Sequence, residues 1–153
     1  MKSLAIIIPA YKDTYLRETL DSLVSQTIND FVVYIGDDCS PYNLKSIVNE
    51  YECKLNIVYV RFDNNLGGKS LVAQWNRCVA MSQEKYIWLF SDDDILPPDA
   101  VERFWNFEES HKGKFDICRL PLELVDRNGN TTMKLEDYSR YMCSEDYLIK
   151  RLS

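Results

Sequence analysis

The stretch that decides the fold is Tyr86-Ile87-Trp88-Leu89-Phe90-Ser91-Asp92-Asp93-Asp94. Its first five residues are apolar or aromatic without alternation, which is typical of a strand buried on both faces of a parallel sheet. Three carboxylates follow almost at once, at the C-terminal end of the predicted strand. Open α/β sheets bind their ligands at that end, so we expect a site there.

The three consecutive carboxylates Asp92, Asp93 and Asp94 repel one another. At ~5 Å and an effective dielectric constant of ~20, one such pair costs about 3 kcal/mol. A bound divalent cation would remove this repulsion, and oxygen ligands of this kind suit Mg²⁺ or Mn²⁺. A solvated acidic loop before a helix explains the same run without a metal, so the residues alone leave both interpretations open.

Outward from this stretch, short apolar runs alternate with helical patterns. Strands are predicted at residues 4–8, 31–35, 55–60, 86–90 and 115–120. Helices are predicted after Thr14 as N-cap, at 44–51, at 69–81 with Leu71, Trp75 and Val79 on one face, and after Pro98 with Val101, Phe104 and Trp105 buried. This order predicts an α/β fold, with a mostly parallel sheet and helices on both faces.

The C-terminal part of the sequence carries a different pattern. Asn128-Gly129 between two apolar runs predicts a β-hairpin, and Ser144 opens a last helical pattern. We expect one domain over residues 1–153, with a core over about 2–120 and the start of a further segment over 121–153.

Composition excludes several classes of protein. The chain has 153 residues, a size suited to one domain, and a net charge of -6, which argues against nucleic acid as a partner. The five cysteines are scattered without a CxxC pair, which predicts a reducing compartment and neither a disulfide framework nor a zinc site. The apolar run that ends at Pro9 is too short to span a membrane.

Polar residues follow each of the first four predicted strands, and these loops should meet at one edge of the sheet. Asp37-Asp38 follow the second strand as Asp92-Asp93 follow the fourth. One pair could read a nucleotide, since a carboxylate accepts the N3 hydrogen of uracil, and the other could hold a cation on its phosphates. Tyr11 could stack on the base, or pack on the first helix as an ordinary loop aromatic.

The glycine pair after the third strand is a weaker signal. Gly67-Gly68 allow close backbone approach at a helix N-terminus, which favours anions, and Lys69 adds a positive charge. A plain loop-to-helix junction explains the same residues.

Several motifs in order carry a family resemblance. They are Ile6-Ile7-Ile8-Pro9-Ala10-Tyr11-Lys12, Leu20-Asp21-Ser22-Leu23-Val24-Ser25-Gln26-Thr27, Asp37-Asp38-Cys39-Ser40, Asn76, and the acidic segment with Pro98. Together they resemble the N-terminal, nucleotide-sugar-binding half of family 2 glycosyltransferases of the GT-A fold. The resemblance covers about residues 2–109.

The resemblance implies roles for individual residues. It places Asp38 on the uracil of a UDP-sugar, Asp92 against the ribose or donor sugar, and Asp93 on the metal with Asp94 as a substitute. The nucleotide-binding set that it implies is Pro9, Ala10, Tyr11, Asp13, Asp38, Lys69, Asn76 and Asp92.

The implied reaction is an inverting, metal-dependent sugar transfer to an acceptor hydroxyl. The donor would be a nucleotide-sugar, and the acceptor a saccharide or lipid-linked molecule in bacterial surface polysaccharide synthesis. Mn²⁺ or Mg²⁺ would stabilise the leaving diphosphate while a carboxylate base deprotonates the acceptor. The implied location is cytoplasmic, at the inner face of the membrane, with peripheral membrane association of a full-length protein.

The sequence departs from the family pattern at several positions. Ser91, Lys12 and Cys39 stand where the family commonly has Asp, Asn and Gly. The family's catalytic base is an Asp in a later acceptor segment; Asp146 of Glu145-Asp146 fits by letter but also suits a helix N-terminus. Glu145-Asp146 also follows the acidic segment by too few residues, so we expect that the chain lacks most of the acceptor half and the base. The alternative function is a nucleotide-sugar-binding module without transferase activity.

Overall fold

The structure is a computed structural model that describes residues 3–126 and 129–134. Strands and helices alternate along most of this part of the chain, followed by a hairpin. The elements are β1 (Leu4–Ala10), α1 (Leu16–Val24), β2 (Val32–Asp37), α2 (Leu44–Asn49), β3 (Ile57–Arg61), α3 (Leu71–Val79), β4 (Tyr86–Leu89), α4 (Ala100–His111), β5 (Glu123–Val125) and β6 (Thr131–Lys134).

Four parallel strands form the main sheet, in the order β3-β2-β1-β4. The central strand β1 places Ile6 beside Val33 of β2 and Trp88 of β4. Because all four strands run in one direction, their C-terminal ends and the loops after them lie at one edge. The mostly parallel α/β sheet predicted from the sequence is confirmed.

Helices cover both faces of this sheet, as predicted. On one face Leu4, Ile6 and Ile8 of β1 belong to a core that includes residues of α1, α2 and α4. On the other face Ala5 and Ile7 pack with Cys78 of α3. The predicted burial of Val101, Phe104 and Trp105 in α4 holds in large part, with Phe104 only partly buried.

The face that α3 turns to the sheet differs from the predicted one. Gln74 and Cys78 are buried, whereas Trp75 is 36% exposed and Leu71 is 54% exposed. The reason lies in β2, where a Cβ on Gly36 would stand 2.3 Å from Cys78 Sγ. Contact this close accepts a small side chain and excludes an indole, so α3 presents its cysteine side to the sheet.

The strand β4 is not buried on both faces, which corrects our expectation. Its exposure alternates, with Ile87 47% and Leu89 42% exposed. Tyr86 and Trp88 point the other way and pack around Phe104 of α4. Among the described residues β4 is an edge strand of its sheet. The face of β4 that carries Ile87 and Leu89 is covered by α3 only in part.

Two local predictions are wrong. Thr14 does not cap the first helix, because α1 begins at Leu16 with Tyr15 as its N-cap and without a side-chain cap hydrogen bond. Residues 115–120 form no strand, and Ile117 is 85% exposed. A short apolar run becomes a strand only where it joins a sheet, and neither sheet of the described residues includes this run.

The chain forms two compact units, Met1–Lys112 and Gly113–Ser153. The second contains the antiparallel hairpin of β5 and β6, with Gly129 at a φ of 80° in the turn, as the Asn-Gly signal predicts. The single-domain organisation expected from the sequence stays a prediction. Within the described residues, no helix combines the length and the apolar character needed to cross a bilayer.

Candidate functional site

The loops after β1, β2 and β4 are joined by hydrogen bonds at the C-terminal edge of the sheet. The Asp38 backbone N–H donates to the Ala10 carbonyl at 2.9 Å. Asp92 Oδ2 accepts the backbone N–H groups of Tyr11 at 2.8 Å and Lys12 at 2.9 Å. The convergence of loops expected from the sequence is therefore present in the structure.

Asp38 extends this arrangement to the loop after β3. The residue is 4% exposed. Oδ1 accepts the Leu66 N–H at 2.7 Å, and Oδ2 accepts the Gly67 N–H at 2.8 Å. A Cβ on Gly67 would lie 2.6 Å from Asp38 Oδ2, so this position requires glycine for close approach.

Arg77 of α3 supplies the countercharge for Asp38, which sequence reasoning missed. Its Nη2 donates to Asp38 Oδ1 at 2.6 Å, and its Nη1 donates to Asn64 Oδ1 at 3.1 Å. The guanidinium also stacks on the ring of Phe62, 3.8 Å from its centroid. No sequence signal marked it, because the face of this helix that was predicted to pack on the sheet carries Leu71, Trp75 and Val79 rather than Gln74 and Cys78.

Asp37 differs from Asp38, although the two are adjacent. It is fully buried and accepts hydrogen bonds from the Ser40 N–H at 2.8 Å, Arg61 Nη1 at 2.7 Å and the Tyr59 hydroxyl. Burial, and then the hydrogen bond to Asp37, raise the pKa of Tyr59. Asp37 thus holds the turn and is not turned toward a ligand.

A cavity of ≈400 Å³ opens where these loops meet. Acids and backbone line one part of it, and apolar side chains of α3 and β4 line another. Its lining residues are Pro9, Ala10, Tyr11, Lys12, Asp38, Leu71, Gln74, Trp75, Leu89, Phe90, Ser91, Asp92 and Asp94. A second cavity of ≈410 Å³ lies beyond the turn at Ser40, and no carboxylate lines it among the described residues.

The structure brings together part of the predicted residue set. Pro9, Ala10, Tyr11, Asp38, Asp92 and Asp94 line the carboxylate-bearing cavity. Four other predicted residues are not part of its lining: Asp13, Lys69, Asn76 and Asp93. Asp146 and its neighbour Glu145 lie outside the described residues. Lys12, Trp75 and Leu89 are lining residues that the sequence did not single out for binding.

Asp92, Asp93 and Asp94, which we call the acid run, place three adjacent negative charges at the cavity rim. Asp94 is exposed, yet loss of hydration raises its pKa, and the charges of Asp93 and Asp92 add to that rise. Asp93 Oδ1 accepts a hydrogen bond from the Ser91 hydroxyl. A cation near these carboxylates would lower the pKa of Asp94 and relieve the repulsion.

Within the described ranges, no group of three or more His, Cys, Asp or Glu side chains could hold a metal ion. Mg²⁺ and similar ions often use one or two carboxylates together with phosphate oxygens of a substrate. The acid run fits that pattern, because it offers adjacent carboxylates at the rim of a cavity large enough for a ligand.

A family model described as glycosyl transferase family 2 matches residues 5–150. An uncharacterised glycosyltransferase of Methanocaldococcus jannaschii is 30% identical over 82% of this chain and 43% of its own length. The minor teichoic acid biosynthesis protein GgaB of Bacillus subtilis is 32% identical over 77% of this chain and 13% of its own length. The chain thus spans less than half of the length of either relative.

Solved structures of TarS from Staphylococcus aureus share the fold. TarS 1-349 superposes with a TM-score of 0.67 at 25% identity, over 73% of this chain and 33% of that chain. The same protein in complex with UDP-GlcNAc gives a TM-score of 0.67 at 22% identity, over 84% of this chain and 42% of that chain. The GT-A fold expected from the sequence is confirmed.

Proposed function

The chain belongs to glycosyl transferase family 2, and from that premise we propose that the cavity with the acid run binds a nucleotide-sugar donor. The observation that carries the proposal is the convergence of Asp38, Asp92 and Asp94 on one cavity. Asp38 comes from the loop after β2, and Asp92 and Asp94 come from the loop after β4. The fold holds the two loops to the loop after β1 through hydrogen bonds to its backbone.

The base of the donor is assigned to the Asp38 and Tyr11 side of the cavity. Asp38 Oδ2 has capacity for a hydrogen bond besides the one from Gly67, and a uracil N3–H is a suitable donor. Tyr11 is 40% exposed at the cavity wall and can lie against the ring. Asp92 is assigned to the ribose or donor sugar, since it lines the cavity while its Oδ2 fixes the neighbouring loop.

The apolar part of the cavity is a surface for a flat or ring-shaped group. Trp75, Leu71 and Leu89 are exposed to it rather than buried in the core. Sugar rings present C–H faces that pack on aromatic side chains, so we assign this wall to the donor sugar or to the acceptor.

The metal is assigned to Asp93 and Asp94, with Mn²⁺ or Mg²⁺ as the ion. When bound, the ion would neutralise charge on the diphosphate leaving group. The carboxylates of the acid run would hold the ion at the cavity rim, next to the phosphates. The raised pKa of Asp94 indicates unfavourable negative charge there, which such an ion would offset.

The proposed reaction moves the sugar from the diphosphate to an acceptor hydroxyl. The acceptor oxygen forms a bond to the sugar's anomeric carbon from the face opposite the diphosphate, that carbon's bond to the phosphate oxygen breaks, and configuration inverts. The acceptor proton passes to a carboxylate base. The sequence assigns no residue to that base, since Asp146 matches it by letter but better suits a helix N-terminus.

The acceptor and the biological setting are proposals drawn from the relatives. GgaB is named for minor teichoic acid biosynthesis, and TarS is named a poly(ribitol-phosphate) β-N-acetylglucosaminyltransferase that has been solved with UDP-GlcNAc. By analogy we propose a UDP-sugar donor, a saccharide or lipid-linked acceptor and bacterial surface polysaccharide synthesis. Cytoplasmic placement at the inner face of the membrane stays a prediction.

A donor panel tests this function. The full chain is incubated with Mn²⁺ and a set of UDP-, GDP- and dTDP-sugars, and release of free nucleoside diphosphate is measured with and without added saccharide acceptors. Turnover of a UDP-sugar supports the transferase. Binding of UDP-sugars without release of UDP under any condition favours the alternative, a nucleotide-sugar-binding module, and binding of no nucleotide contradicts both.

A further inference from the structure

We propose that Lys12 is the cation that receives the diphosphate of the donor, the role that the sequence loosely assigned to Lys69. This inference rests on the proposed nucleotide-sugar site and adds a residue to it. Lys12 stands where the family commonly has asparagine, so the contact would be particular to this chain.

The charge of the cavity is the first argument. Asp38, Asp92 and Asp94 line it, and Lys12 is the only basic side chain among the described residues that do. Arg77 already neutralises Asp38 by a 2.6 Å ion pair, whereas Asp94 lies beside further carboxylates. A diphosphate entering this cavity meets negative charge, and Lys12 is the positive group placed to receive it.

The backbone at Lys12 is fixed, which is the second argument. Its N–H and that of Tyr11 donate to Asp92 Oδ2. The Tyr11 carbonyl accepts the Ser40 hydroxyl at 2.6 Å, and the Ala10 carbonyl accepts the Asp38 N–H at 2.9 Å. Two other loops, after β2 and after β4, thus hold the start of the Lys12 side chain at the cavity wall, so little ordering of the backbone is needed when a ligand binds.

The third argument is that the Lys12 ammonium is uncommitted within the part of the chain that the structure describes. Among the described residues it forms no ion pair, whereas Lys45, Lys85 and Lys134 each pair with a glutamate. Lys69 is exposed and does not line the cavity. A free ammonium beside a fixed loop suits a phosphate as a point charge, in the way that lysines commonly bind phosphates.

Comparison of UDP with uridine tests the inference, because only UDP carries the diphosphate. In the presence of Mn²⁺, the affinity of each compound is measured by titration into the wild-type protein and into the variants Lys12→Met, Lys12→Arg and Lys69→Met. The exposed Lys54, which sits over the Tyr51 ring away from the cavity, gives the control variant Lys54→Met. Circular dichroism and thermal melting verify that each variant is folded.

We expect Lys12→Met to weaken UDP about tenfold, as for a charge-assisted hydrogen bond, and to leave uridine unchanged. Lys12→Arg should recover most of the loss, and Lys54→Met should behave as wild type. Equal UDP affinity of Lys12→Met and wild type would overturn the inference while leaving the donor site standing. The same holds if Lys69→Met alone loses UDP. Absence of UDP binding by wild type would remove the proposed function and this inference together.

Discussion

The acids after β2 and the acids after β4 look alike in sequence and behave differently in the structure. Asp37 and Asp38 are buried, and each is paired with an arginine and with backbone N–H groups. In the run after β4, Asp93 and Asp94 are exposed, and the pKa of Asp94 is raised. The first pair is therefore fixed by the scaffold, with only Asp38 facing the cavity, and the second group carries charge that a bound cation would offset.

The largest expected change in stability follows from removing Asp37, the fully buried acid after β2. Asp37→Ala would leave Arg61 and the Ser40 N–H without their buried partner. We expect the free energy of unfolding to fall by about 3–5 kcal/mol, because three donors lose a charged acceptor, although the half-exposed Arg61 can still be solvated. Urea denaturation measures it, with the exposed Asp93→Ala as the matched carboxylate control, expected to change stability by about 0.5 kcal/mol or less. Equal losses of stability for Asp37→Ala and Asp93→Ala would contradict the distinction between buried acids after β2 and exposed acids after β4.

Arg77 offers the next largest effect, since its ion pair with Asp38 is part of what distinguishes the two groups of acids. Arg77→Met would leave the Asp38 carboxylate buried without its countercharge, and we expect a loss of about 2–4 kcal/mol in unfolding free energy. UDP affinity should fall as well, because Asp38 also holds the loop at Leu66 and Gly67. Arg77→Lys should restore charge but not the bonds to Asn64, so its loss should be intermediate. A variant as stable as wild type would contradict the structural role.

Cys39, which follows Asp38 in the turn after β2, offers a smaller change in unfolding free energy, of opposite sign. Cys39 has a φ of 54°, a left-handed conformation that costs most residues 1–2 kcal/mol but not glycine. After the entropy that glycine adds to the unfolded chain, we expect Cys39→Gly to stabilise the protein by about 0.5 kcal/mol. The midpoint of urea unfolding should rise at unchanged slope. A destabilised variant would mean that the thiol makes contacts worth more than the backbone strain.

The smallest effect concerns Asp94 and changes with pH. Since its pKa is raised in the folded protein, ionised Asp94 opposes folding above that pKa, and this penalty disappears as pH falls below the ordinary aspartate range. Asp94→Asn should therefore stabilise the ligand-free protein at pH 7 by up to about 0.5 kcal/mol and have no effect near pH 3. Thermal melting at the two pH values checks this. A destabilised Asn variant at pH 7 would contradict it.

Sequence patterns predicted the sheet more reliably than the burial of its members. The apolar runs 4–8 and 31–35 were correctly predicted as parallel strands, because both faces of these strands are buried or partly buried. The run Tyr86–Leu89 has the same composition, but its burial depends on what lies next to it in space. Residues 115–120 failed as a strand for the same reason, since pairing is a property of two segments rather than one.

The site was predictable where a residue acts through its own position on a loop. The cavity is lined by predicted residues at the C-terminal ends of strands: Pro9 in β1, Tyr11 and Asp38 directly after β1 and β2, and Asp94 in the loop after β4. Arg77 and Trp75 were not predictable, since their orientation on α3 follows from the contact between Gly36 and Cys78. A helix rotated to seat one small side chain moves every other residue on it, and no local pattern around Trp75 records that rotation.

The most direct test of the central claim, that the acid run and the cavity together hold a cation and a nucleoside diphosphate, is calorimetric. UDP is titrated into wild type and into the Asp93→Asn/Asp94→Asn double variant, each with Mn²⁺ and with EDTA. The account predicts binding by wild type that depends on Mn²⁺ and a loss of that dependence in the double variant. Equal UDP affinity in all four titrations, or no heat from wild type with Mn²⁺, would contradict it.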